Sequence, residues 1–183
     1  TGTPTINLTS ALPAITEPVT INGNTGGATR VELNGVGAGA NANGLTLNAS
    51  GSVIERLVIN RFTGAGIRIA TLAANNLIGG NIVKGCIIGL DSSGTIVRAN
   101  NVGLQIVGSS NNVIGDATLS DRNTISGNTT DGVLIGQLTI NNPNPNPPTI
   151  VQASNNKIIN SYIGLDVTGR FDLGNTGFGV NVL

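Results

Sequence analysis

Histidine, methionine and tryptophan are absent from this chain of 183 residues, and cysteine occurs once, as Cys86. The missing histidines exclude zinc sites of the usual kind and a Ser-His-Asp relay. A single thiol excludes an internal disulfide framework and any metal centre built on several cysteines. Charge is scarce as well as balanced, with nine basic and nine acidic side chains and a net of zero. Nucleic acid is therefore not an expected partner, and neither is an anionic membrane surface, because both demand clustered positive charge. The densest basic run, Arg56, Arg61 and Arg68, has Glu55 beside it. No apolar run approaches the roughly 20 residues that span a bilayer, so membrane insertion is not expected. Without methionine, Thr1 reads as the product of processing or excision from a longer chain, with residues 1–183 forming one β-domain.

Aromatic residues make up only 2 % of the chain, whereas 39 % of residues are hydrophobic, so Ile, Val and Leu must build the core. Together with 27 glycines and abundant Asn and Thr, this favours short strands separated by tight turns. The dominant signal is repetition. A unit of Gly, aliphatic, any residue, aliphatic recurs as "GLTL" from Gly44, "GIRI" from Gly66, "GLQI" from Gly103, "GVLI" from Gly132 and "GVNV" from Gly179. The first two are 22 residues apart, and longer intervals carry identifiable insertions such as "DSSGTIVRANN" and "DATLSDR". A repeat of about 22 residues with three short strands has the dimensions of a parallel β-helix, because strands this short must stack to pool their side chains.

Alternation within the units predicts which residues point inward. In "SVIERLVIN" they are Ile54, Leu57 and Ile59, with a kink at Arg56, and in "NKIINSYIGLD" they are Ile158, Ser161 and Ile163. Ile54, Val83, Ile125 and Ile158 are expected to stand above one another. Cys86 is assigned to a column with Leu57, Asn128 and Ser161, as a buried thiol. Asn pairs precede short aliphatic runs in "NNLIGG", "NNVIGD" and "NNKIIN". Stacked on successive coils, Asn76, Asn112 and Asn156 are expected to form a hydrogen-bonded ladder along one corner. "NNPNPNPP", with prolines at 143, 145, 147 and 148, predicts an extended excursion between coils that could contact a partner.

Two phrases, "KGCIIGLDSSGTIVRAN" and "INSYIGLDVTGRFDLGN", share Ile88, Gly89, Asp91, Gly94 and Asn100 with Ile163, Gly164, Asp166, Gly169 and Asn175. With "INLTSALPAITEPVTINGN" and "RNTISGN", they resemble the bacterial secreted right-handed parallel β-helix modules of the pectate-lyase-like superfamily. Cys86 and Ser161 replace the Asn usual in that family's phrase, and Leu90 and Leu165 replace its Thr. The resemblance implies a module of a large secreted or cell-surface protein. It also implies a capping segment before "INLTS" that is missing here, which would leave two uncapped ends.

The resulting expectation is an extracellular structural or adhesive module that associates with itself, end to end into a filament, or with neighbouring modules. The alternative is a carbohydrate-active domain of the lyase or hydrolase kind, or a glycan-binding one, with polysaccharide as partner. Asp91 and Asp166 are the candidate acids or calcium ligands, since hard cations take Asp and backbone oxygens. They occupy equivalent positions two coils apart, roughly 10 Å at the usual strand spacing, which is too far for a retaining glycosidase pair. A turn with Asp as cap and Gly at positive φ accounts for "D-x-x-G" without any ligand. The remaining acids, Glu17, Glu32, Glu55, Asp116, Asp121, Asp131 and Asp172, are scattered in the sequence, and Tyr162 falls on an outward position. No catalytic residue and no confident cofactor follows from these residues.

Overall fold

The computed structural model describes residues 2–27, 30–74, 76–143 and 146–183. Asn75 of "NNLIGG" and Asn144 and Pro145 of "NNPNPNPP" lie outside the described residues. The chain is all-β. Its strands form three parallel sheets that are visited in the same order, C then A then B, on each circuit. Sheet A comprises β1 (Thr5–Asn7), β3 (Val31–Asn34), β6 (Leu57–Asn60), β9 (Ile87–Ile88), β12 (Thr124–Ile125) and β17 (Tyr162–Ile163). Sheet B comprises β4 (Leu45–Leu47), β7 (Ala65–Ala70), β10 (Val102–Val107), β13 (Val133–Gly136) and β18 (Val180–Val182). Sheet C comprises β2 (Thr20–Asn22), β5 (Val53–Glu55), β8 (Ile82–Lys84), β11 (Val113–Ile114) and β16 (Lys157–Ile158). In every sheet the strands lie side by side in chain order, each paired with that of the next circuit, an arrangement compatible with a parallel β-solenoid.

The five glycine units are the sheet B strands of five consecutive coils, since Leu45, Ile67, Leu104, Val133 and Val180 are register partners in turn. Their glycines answer a steric demand. A Cβ on Gly44, Gly66, Gly103 or Gly132 would come within 2.8 Å of the carbonyl oxygen of the equivalent glycine one coil on. Gly103→Ala must therefore push two coils apart. It is expected to lower stability by about 1–3 kcal/mol, the usual range for overpacking, in a denaturant titration. An unchanged midpoint would mean that the coils have slack at this corner.

The aliphatic residues stack as columns. Sheet C lines up Ile21, Ile54, Val83, Ile114 and Ile158. Sheet A lines up Leu33, Ile59, Ile88, Ile125 and Ile163, so Ile125 stands in a different column from Ile54, Val83 and Ile158. Ile54, Ile59, Ile88, Ile114 and Ile125 are all completely buried. Arg56, between β5 and β6, has φ +57°, and this left-handed residue turns the chain from sheet C into sheet A with Leu57 still inward.

On either side of "NNPNPNPP", the segment expected to leave the coils, the chain builds an antiparallel hairpin, β14 (Leu138–Ile140) with β15 (Thr149–Val151), whose outer turn carries Pro143, Pro147 and Pro148. Proline cannot donate to a ladder, so the pairing is confined to the proline-free flanks. Among the described residues no helix is long and apolar enough to cross a membrane.

Candidate functional site

The outer face of sheet A carries most of the chemistry. Each coil presents one outward residue there, in the register Glu32, Val58, Ile87, Thr124, Tyr162. Two hairpin-like loops, closed by antiparallel bridges Leu90–Val97 and Leu165–Asp172, fold over this face. Val167 and Leu173 pack on Val58, Ile87 and Leu90, which forms a second, smaller apolar cluster outside the main core.

The "D-x-x-G" residues close these loops. Gly94 and Gly169 have φ of +68° and +70°, the left-handed region that glycine enters without a Cβ penalty. Asp91 Oδ1 accepts from Ser93 Oγ at 2.7 Å and from the backbone N–H groups of Ile96 and Thr95. Asp166 Oδ1 accepts from Thr168 Oγ1 at 2.8 Å and from the N–H groups of Arg170 and Phe171. Burial pushes the Asp91 carboxyl up, but the bonds from Ser93, Ile96 and Thr95 and the charge of Arg98 outweigh it and hold the acid below its ordinary value. At Asp166 burial is likewise outweighed by bonds from Arg170, Thr168 and Phe171. The two acids sit two rungs apart, on either side of β12. Each is turned into its own loop, and the loops meet through Val167, whose N–H donates to Gly94 O at 3.1 Å and whose side chain lies against Gly94. Among the described residues no group of three or more His, Cys, Asp or Glu is placed to hold a metal.

Acids that are scattered in sequence gather in space. Lys84 Nζ lies 3.3 Å from Asp116, 3.5 Å from Asp121 and 3.6 Å from Glu55, while Arg56 Nη2 reaches Asp121 at 2.8 Å. Coil stacking makes this cluster, for Glu55 and Lys84 are register partners and Asp116 and Asp121 belong to the next coil's insertion. The bond to Asp121 raises the Arg56 pKa, and that to Asp116 raises the Lys84 pKa. Asp116 is lowered first by bonds from Thr118 and then by Lys84. The ammonium of Lys84 lies among the three carboxylates and balances part of their charge.

The corners are stitched by asparagines, though not the expected set. Asn81 Nδ2 donates to Asn112 Oδ1 at 3.0 Å, and Asn112 Nδ2 donates to Asn156 Oδ1 at 2.8 Å. Asn76 is exposed and bridges to Ala73, outside this ladder, so its place belongs to Asn81. A second ladder runs along another corner, Asn100 Nδ2 to Asn128 Oδ1 and Asn128 Nδ2 to Asn175 Oδ1. In both, each Oδ1 also accepts the backbone N–H of the equivalent residue one coil earlier, as Asn112 does from Asn81 and Asn128 from Asn100.

One residue before the outward column of sheet A lies the column Val31, Leu57, Cys86, Asn123, Ser161. Asn123, not Asn128, is the neighbour of Cys86, and its Oδ1 accepts the Cys86 N–H at 2.9 Å. The thiol is fully buried, and burial pushes its pKa up to about 11. A neutral, enclosed thiol is a packing group.

Two residues before the outward column lie Arg30, Arg56, Gly85, Arg122 and Asn160, so three arginines far apart in sequence share one corner. Arg122 Nε and Nη2 donate to Asn160 Oδ1 at 3.0 and 2.7 Å, and its guanidinium lies 4.1 Å from the centroid of the Tyr162 ring. On its other side Tyr162 packs against Gly169, where a Cβ would collide with the ring. Tyr162 is thus a support for Arg122 and not a free platform. No protein-family model, no curated protein and no solved structure matches the chain.

Proposed function

We propose that this chain is a right-handed parallel β-helix module, similar to the pectate-lyase-like modules, that serves as an extracellular structural or adhesive element. It acts through its shape and through association along its axis, with another copy or with a neighbouring module. The observation that carries this reading is the stack of three parallel sheets, in which each circuit pairs with the next along one axis. The strands β16, β17 and β18 are each last in their sheet, and around them Phe178, Val182 and Leu183 are about two-thirds or more exposed. Such an edge is a template for a further strand. At the opposite end the first circuit opens on an apolar recess of about 340 Å³ lined by Ile6, Leu12, Ile21 and Leu45.

The acids support the same reading. Asp91 and Asp166 are engaged in their own turns, and Asp131 accepts from Phe178 N–H and Asn181 Nδ2, tying the fourth full circuit to the fifth. The acids that do meet, Glu55, Asp116 and Asp121, are engaged by Lys84 and Arg56.

Electron microscopy and light scattering over a concentration series test the proposal. The expected result is rods that lengthen with concentration in steps of about 25–30 Å, six rungs at the usual strand spacing. Val182→Pro, which removes an edge N–H, should shorten them. Compact monomers at every concentration, unaffected by Val182→Pro, would remove self-association from the reading.

A further inference from the structure

The side wall of the fold holds a cleft of about 200 Å³ whose floor is Ile87 and Thr124 on the outer face of sheet A. Ser93 of the first hairpin loop flanks one side, and Ser120 of the short 3-10 turn Leu119–Asp121 flanks the other. Arg30 and Arg122 also line it. From these features the geometry points to a binding site for a tetrahedral oxyanion, the sulfate or phosphate group of a small ligand.

Charge is the first support. Among the described residues neither Arg30 nor Arg122 forms an ion pair, because the carboxylates nearby are already engaged by Lys84 and Arg56. The neighbourhood holds Arg30, Arg56, Lys84 and Arg122 against Glu55, Asp116 and Asp121, which leaves one positive charge in excess on a chain that is neutral as a whole. No carboxylate lines the cleft itself.

Preorganisation is the second. Arg30 Nε donates to the Gly85 carbonyl at 3.0 Å, so this side chain reaches down two coils, to the coil next to that of Arg122. Arg122 is fixed by Asn160 and Tyr162. Both arginines are held by neutral partners, which orient them without cancelling their charge. Among the described residues the Nη groups of Arg30 and Nη1 of Arg122 have no hydrogen-bond partner.

The third support is a hydroxyl. Thr124 Oγ1 and Ser120 Oγ both line the cleft, and among the described residues neither has a hydrogen-bond partner. Two guanidiniums from different coils and two hydroxyls offer donors in several planes. That arrangement suits a tetrahedral anion, whereas a planar carboxylate is satisfied by one arginine fork.

The site lies on the flank and stands whether or not copies associate at their ends. It is tested by following the arginine Nε–H resonances of the ¹⁵N-labelled chain during titration with sodium sulfate, sodium phosphate or sodium acetate, at constant ionic strength because screening alters exposed charges. Sulfate or phosphate should shift the Arg30 and Arg122 signals saturably in the millimolar range, with acetate at least about tenfold weaker, since it uses fewer of the donors. Whichever of the two binds more tightly identifies the group carried by the natural ligand. Arg30→Gln and Arg122→Gln should each weaken binding about tenfold through loss of a charge-assisted donor, and Lys157→Gln should not. Ser120→Glu leaves both arginines and their anchors in place and should abolish binding by repulsion, which covers the case in which an arginine variant fails to fold. Absence of saturation up to about 50 mM, acetate binding as tightly as sulfate, equal loss in Lys157→Gln, or unaltered binding in Ser120→Glu would each overturn the assignment.

Discussion

Ile114→Asp is expected to leave the chain without a cooperative thermal transition. Ile114 is fully enclosed, with Val83 above it and Ile158 below in the sheet C column. The substitution removes apolar burial worth about 1.5–3 kcal/mol, and it adds a carboxylate whose desolvation costs several kcal/mol more with no cation inside to pair it. Set against a total stability of about 5–15 kcal/mol for a domain, that sum unfolds the protein. Circular dichroism during heating checks it. The same change at Ile163, which is only partly buried in the last coil, should be less severe. A cooperative transition of Ile114→Asp within a few degrees of the parent would mean that the sheet C column is not the core.

The second large effect is expected at Asn112. Leucine there fits the volume, but it strands the Asn81 N–H and the Asn81 Nδ2 group, and it takes a donor away from Asn156 Oδ1 and Ser109 Oγ. Each buried polar group left unpaired costs about 1–3 kcal/mol, so a loss of about 3–5 kcal/mol is expected in a denaturant titration. Asn76→Leu, at an exposed position outside the ladder, should stay within about 0.5 kcal/mol of the parent. Equal effects at the two positions would mean that the corner amides contribute nothing particular.

The contrast between these two asparagines shows which part of the fold is legible in the sequence. Local resemblance of "NNLIGG" to "NNVIGD" aligns Asn76 with Asn112, whereas the pairing of Val83 with Ile114 sets Asn81 there. The phrase that carries register is Asn, any residue, inward aliphatic, as in Asn81 to Val83, Asn112 to Ile114 and Asn156 to Ile158. Its signal is the inward aliphatic two residues on, and the paired asparagine distracts from it. Glycine units were legible because close approach of backbones tolerates no other residue, so every coil repeats them. Inward columns were legible for a similar reason, each coil meeting the same packing demand.

Side-chain constellations obey no such rule. Glu55, Lys84, Asp116 and Asp121 come from three coils, and their meeting depends on how long each insertion is and which way it folds. The arginine corner is equally hidden, because Arg30 and Arg122 are separated by two other coils in which the position holds Arg56 and Gly85. Asp91 and Asp166, by contrast, were visible as a matched pair. Both the turn reading and the ligand reading fit their spacing, and only the hydrogen bonds from Ser93 and Thr168 separate the two.

The two corner ladders have a sense as well as a place. From Asn81 through Asn112 to Asn156, and from Asn100 through Asn128 to Asn175, every amide-to-amide bond runs from the Nδ2 of the earlier coil to the Oδ1 of the later one. The stack is therefore vectorial, its amide dipoles adding along the axis instead of cancelling. A copy joined head to tail continues both rows, whereas one inverted end over end sets nitrogen against nitrogen or oxygen against oxygen. Any fibre built this way has a barbed and a pointed end, and its growth rates at the two should differ.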